Sequence, residues 1–247
     1  MQQDYNYYFL SMKEWLIVIG EYLLLTGVIA YLFYKSCWGL IIGILLYPSY
    51  LHMKKKDYVR KRKLQFGLQF KDCLVCVAGA MRAGYSVENA WKEAAKDMER
   101  QYGRNSDIVR ELRKMNNQVG FNVPIEGLLE NLAYRTHIED IENFSSIFTF
   151  AKRSGGDFTT IISNSVRQLA DKMELQNQIE TAFSAKRMEQ KVMNLVPLFI
   201  LAFMNLTSRE FLATLYHNLA GILIMSVCLL VYAGAYLWAE KIVDIEV

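Results

Sequence analysis

Cys73 and Cys76 stand in a CxxC spacing, the pattern of thiol redox centres and of half a zinc site. A zinc site needs a second pair or nearby histidines. The three histidines, His52, His137 and His217, fall in separate segments and build neither a metal site nor a triad. Both cysteines lie inside a helical pattern, so they read as buried thiols in a reducing compartment. Glu139, Asp140 and Glu142 offer paired carboxylates for acid–base work. Their position at the head of a helical run predicts a solvated first turn instead, with His137 beside Thr136 helping to start that helix. The stretch FAKRSGGDF, Phe150 to Phe158, could cradle a phosphate at a helix N-terminus. Asp157 would repel phosphate, however, and the chain contains no GxxxxGK[ST], HExxH, nucleophile elbow or dinucleotide fingerprint. A helix–helix corner fits better. Gly155 would adopt φ > 0 to end one helix, Gly156 would let two backbones approach, and Asp157 would cap the next. No catalytic, cofactor-binding or metal-binding residue is predicted, and no enzymatic activity or cofactor.

The elements that carry these residues are helices throughout, since the chain has only three prolines and few β-branched runs. Residues Lys54 to Lys191 hold 24 of the 28 basic and 18 of the 25 acidic side chains, a formal +6, while both ends are almost uncharged. Trp15 to Tyr34 is about 20 residues with one charge, Glu21, long enough for a bilayer core of about 30 Å. Cys37 to Leu51 is a shorter apolar run. Val192 to Leu206 contains Pro197, and Leu219 to Ala239 carries no charge. Four membrane spans are expected, in two pairs. Glu21 is the one acid at depth, and intramembrane acids are functional candidates unless paired or protonated.

Seven basic residues in Lys54 to Lys63 follow the second run; Lys186, Arg187 and Lys191 precede the third. The positive-inside rule then expects both termini and the middle block in the cytoplasm, in a multi-pass inner-membrane protein. A basic run at a membrane exit reads as anchoring on anionic lipid rather than as a nucleic-acid site.

Within the block, Phe66, Phe70, Cys73, Leu74, Val77 and Met81 share one helical face, and Gly84 supplies a stop. Ser86 caps the next run, with Val87, Ala90, Trp91, Ala94, Ala95 and Met98 inward and Glu88 facing Lys92 outward. Ile108, Leu112, Met115 and Val119 form a third stripe ending at Gly120. Asn122 and Pro124 restart the chain for Ile125, Leu128, Leu129 and Leu132. Ile138, Ile141, Phe144, Phe148 and Ala151 follow. A sixth helix from Asp157 has no breaker before Pro197. The expected fold is an all-α integral membrane protein: a transmembrane hairpin over 1–53, an antiparallel helical bundle over 54–191, and a second transmembrane pair over 192–247.

RAGYSVENAWKEAA (from Arg82), FAKRSGGDFTTIISN (from Phe150), QIETAFSAKRMEQKVMNLVP (from Gln178) and the terminal EKIVDIEV together resemble the type II secretion F family. These are the inner-membrane platform proteins of type II secretion and type IV pilus machines. The resemblance covers roughly residues 64 to 205 and the tail. One copy of the helical domain with two spans on each side resembles the Tad/Flp branch, TadB or TadC, rather than the two-copy GspF and PilC branch. The resemblance implies a non-catalytic platform that couples a cytoplasmic secretion ATPase to extraction and polymerisation of pilin subunits. It also implies partners in a paralogous platform protein or a second copy, and places Gly84, Ser86, Arg153, Gly155, Gly156 and Asp157 at recurrent family positions. A small transporter or channel is the competing expectation.

Overall fold

The computed structural model describes residues 5–6, 11–34, 38–154, 157–208, 216 and 218–243. Among them the chain forms eight helices and no strand. These are α1 (Met12–Tyr34), α2 (Trp38–Arg82), α3 (Val87–Tyr102), α4 (Asp107–Gly120), α5 (Ile125–Thr136), α6 (Glu139–Ser154), α7 (Phe158–Thr207) and α8 (Leu219–Val243). Two units pack separately. The first combines Met1–Phe9 with Lys55–Leu175; the second combines Leu10–Lys54 with Gln176–Val247.

In the first unit, the inward stripe of α2 from Phe66 to Met81 is fully buried. The helix stops where Gly84 takes φ +90°. There the Gly84 and Tyr85 N–H groups donate to the carbonyls of Met81 and Ala80, which the helix end leaves unpaired. Ser86 then caps α3, its Oγ accepting from the Asn89 N–H at 3.4 Å. Ala90, Trp91, Ala94, Ala95 and Met98 are buried beneath that helix. Glu88 and Lys92 form no ion pair; Glu93–Lys96 and Asp97–Arg100 line the outer face instead.

Two turns differ from expectation. Gly120 remains helical, and the chain breaks at Asn122, whose φ of 61° uses the tolerance of asparagine for the left-handed region. His137 ends α5 rather than starting α6. Thr136 bonds back to the Leu132 and Ala133 carbonyls and stays helical, so the left-handed closing position, φ 48°, falls on His137. Beyond it, Ile141, Phe144, Phe148 and Ala151 of α6 meet Phe70 of α2 and Phe158 of α7 in one apolar core. Each such buried large side chain contributes about 2 to 3 kcal/mol. Ion pairs link neighbouring helices: Glu99–Arg113, Glu111–Arg135, Glu126–Lys152 and Asp140–Lys172.

In the second unit, Ser11 starts α1, its backbone N–H donating to Glu14 at 2.8 Å. Tyr22 of α1 meets the rings of Tyr47 and Tyr50 of α2. Leu32 and Phe33 pack with Tyr216, Leu198, Leu201, Met225 and Leu229. Elsewhere Leu24, Phe199, Leu206, Leu230 and Trp238 are exposed, far more apolar surface than a water-facing helix carries.

Among the described residues, three helices are long and apolar enough to cross a membrane: Met12–Phe33, the helix Phe158–Thr207 and Gly221–Ala239. The expected fourth, Cys37 to Leu51, is not among them. From Trp38 onward it is the head of the 45-residue α2, where Tyr47, Pro48 and Tyr50 interrupt the apolar run before His52 and the lysines from Lys54.

Candidate functional site

A cluster of charged and aromatic side chains in the first unit lies where α2, α4 and α5 meet the segment at Tyr5. Glu111 of α4 is 2% exposed. Its Oε2 accepts from Arg135 Nη2 of α5 at 2.6 Å, and its Oε1 accepts from Lys114 Nζ at 2.9 Å. The Tyr5 hydroxyl donates to the same Oε1 at 3.5 Å. Tyr5 is itself 1% exposed, with its ring 4.9 Å from that of Phe66 and the Arg62 guanidinium 4.7 Å above it. Its backbone N–H donates to the Arg135 carbonyl at 3.2 Å. Arg62 in turn donates to Asp107 at 2.9 Å.

Burial pushes the Glu111 carboxyl upward, but the bonds from Arg135 and Lys114 outweigh it, and the group lies below the usual carboxylate range. Asp107 follows the same logic, with burial opposed by Arg62 and Arg110. Burial raises the Tyr5 hydroxyl, assisted by the Glu111 charge. The node is therefore two carboxylates held ionised and a phenol held neutral. Such an arrangement ties α4 to α2 and to α5.

Sequence reading did not find this node. The signal was Glu111 itself, which stands on the apolar stripe between Ile108 and Leu112, where a solvated acid does not belong. Tyr5 gave no such signal.

Gly84 and Ser86 form the turn already described. Asp157 caps α7, accepting from the Thr160 hydroxyl and from the Thr160 N–H, the latter at 3.1 Å, and those bonds lower its carboxyl pKa. Arg153 lies exposed in the last turn of α6. Gly155 and Gly156, expected to make the corner, lie outside the described residues. In the second unit, Glu21 is paired: Lys54 Nζ donates to it at 2.8 Å and Tyr50 at 3.4 Å. Pro197 stands inside α7, which continues through it. Gly84 and Ser86 share the junction between α2 and α3, and Arg153 and Asp157 flank that between α6 and α7.

Cys73 is fully buried, and burial raises its thiol; Cys76 is raised likewise, by burial and by Asp97 and Asp72. Neither is a ready thiolate. Tyr102, donating to Asp72, is pushed up to about 12 by burial and that bond. Among the described residues no three His, Cys, Asp or Glu side chains gather as a metal site. No family model, curated protein or solved structure matches the chain.

Proposed function

We propose that this chain is an inner-membrane platform subunit of a type II secretion or Tad/Flp-type pilus machine, coupling a cytoplasmic secretion ATPase to pilin extraction and polymerisation. The observation that carries the reading is the order of its parts. One all-helical unit is inserted in the chain between helices apolar enough to cross a membrane. The ion pairs between successive helices fit an antiparallel bundle, the form that the helical periodicity predicts.

The same reading gives four crossings. Tyr5 and Lys55–Leu175 belong to one packed unit and so to one side of the membrane. If α1 crosses between them, the chain must return before Lys55, and only the head of α2 can do so. The basic residues from Lys54 to Lys63 then mark the cytoplasmic side. Glu21 is a paired acid near that side rather than an ion-pathway residue, which counts against a transporter.

Co-purification from detergent-solubilised membranes with the secretion ATPase of the same cell tests the proposal. The ATPase is expected to be retained, and cells lacking this chain are expected to assemble no pili. A chain that retains no ATPase and whose loss leaves pili intact rejects the platform reading.

A further inference from the structure

The first unit contains a seat for the chain's own N-terminal segment, and its occupant is visible. Tyr5 fills it: ring against Phe66, Arg62 stacked above, hydroxyl toward Glu111, backbone N–H on the Arg135 carbonyl. The next residue adds a second tie, Asn6 Oδ1 accepting from Lys63 Nζ at 2.7 Å. Asn6 and Lys63 therefore close a loop of chain that contains all of α1 and the head of α2. Within that loop, α1 is apolar enough to cross a membrane by itself, whereas the apolar run at the head of α2 is shorter and interrupted by Tyr47, Pro48 and Tyr50.

We infer that this N-terminal clamp is a topological device: it commits the head of α2 to crossing the membrane. While Tyr5 occupies its seat, both ends of the loop belong to one side, and a crossing α1 forces a returning α2. Without the clamp, α1 can insert with its N-terminus outside, and the head of α2 need not cross. The seat suits this task because a buried aromatic ring under a guanidinium is held by packing and charge together, and Arg62 is fixed from behind by Asp107. The inference rests on the reading that α1 spans a membrane.

The test uses the full chain in cell membranes, with its native cysteines other than Cys73 replaced and a single reporter cysteine at Lys35. A membrane-impermeant maleimide added to intact cells labels position 35 in the parent chain. Tyr5→Ala is expected to lower that labelling at least about twofold and to expose an N-terminal tag outside, because the remaining charge bias acts on a hairpin with one weak leg. Tyr5→Phe keeps the ring and is expected to label like the parent. Buried Cys73, probed in permeabilised cells, reports whether the helices stay packed. Labelling at position 35 equal in Tyr5→Ala and parent overturns the clamp. So does a loss of labelling accompanied by exposure of Cys73, which makes Tyr5 an ordinary core residue. An unlabelled position 35 in the parent overturns the membrane reading of α1 itself, and the clamp's role with it.

Discussion

Removing Arg135 strips a buried carboxylate of its shorter ion pair. Without it, Glu111 keeps only Lys114 and the Tyr5 hydroxyl in a site that is 2% exposed. Arg135→Ala is expected to cost about 3 kcal/mol, as breaking a buried pair from one side does, and adding Glu111→Gln should recover much of it. Unfolding followed by Cys73 reactivity measures both. The acid response has a definite sign. Because the Glu111 carboxyl lies lower in the folded chain than in the unfolded one, its stabilisation is complete above the ordinary range near pH 4.3. It is lost as pH falls from there through the folded value, and Glu111→Gln should flatten that limb of the stability curve. At Gly84, nothing lies within 4 Å of an added Cβ, so only the backbone resists substitution. Gly84→Ala should cost about 1 kcal/mol through its positive φ alone. The Gly84 stop and the Ser86 and Asp157 caps were legible because their chemistry is local, within three or four residues. The Glu111 node was not, because its partners lie 24 and 106 residues away.

Pro197 shows how an element absorbs a residue that ought to break it. Proline has no N–H for the Met193 carbonyl, and its ring crowds the preceding turn. The adjoining Asn194 carbonyl finds an outside donor, the Tyr232 hydroxyl of α8 at 2.7 Å. Within the second unit, the loosened turn thus becomes an acceptor that ties α7 to α8, the compensation that lets proline persist in apolar helices. Tyr232→Phe should weaken that tie by about 1 kcal/mol, in line with polar bonds between membrane helices. Thermal unfolding of the detergent-solubilised protein measures it; an unchanged midpoint would leave Pro197 without this role. Helical periodicity told where nearly every helix of the first unit would lie, since one buried face leaves a strong 3.6-residue signal. It did not tell that the second apolar run and the helix from Phe66 are a single helix through Pro48. Charge and apolarity change sharply near Lys54, and a change of surroundings looks in sequence like a change of element.

For the molecule as a whole, single reporter cysteines at Lys35, Ser106 and Thr207 test the four-crossing arrangement. Positions 35 and 207 should label from outside intact cells, and labelling of position 106 would reject the arrangement. The helix Phe158–Thr207 contributes to both units without interruption. If the chain is the proposed platform subunit, a Gly-Pro insertion after Gln176 should leave membrane insertion and ATPase binding largely intact and abolish pilus assembly. An Ala-Ala insertion turns the downstream helix by about 200° yet keeps it helical, and comparison of the two separates stiffness from register. Helical class and candidate spans were legible at this scale because composition carries them. The attachment of the N-terminal segment was not, since no pattern joins Tyr5 to a seat built from three later helices. That seat also imposes an order in time. Tyr5 leaves the ribosome before its seat exists, since Arg135 follows 130 residues later, on the order of ten seconds at ordinary rates of synthesis. On the reading that α1 spans a membrane, that helix meets the translocon throughout this interval while Tyr5 has nowhere to bind. The clamp can therefore only ratify an orientation or reverse one, and a slowed ribosome between Lys63 and Arg135 should yield more wrongly oriented chains.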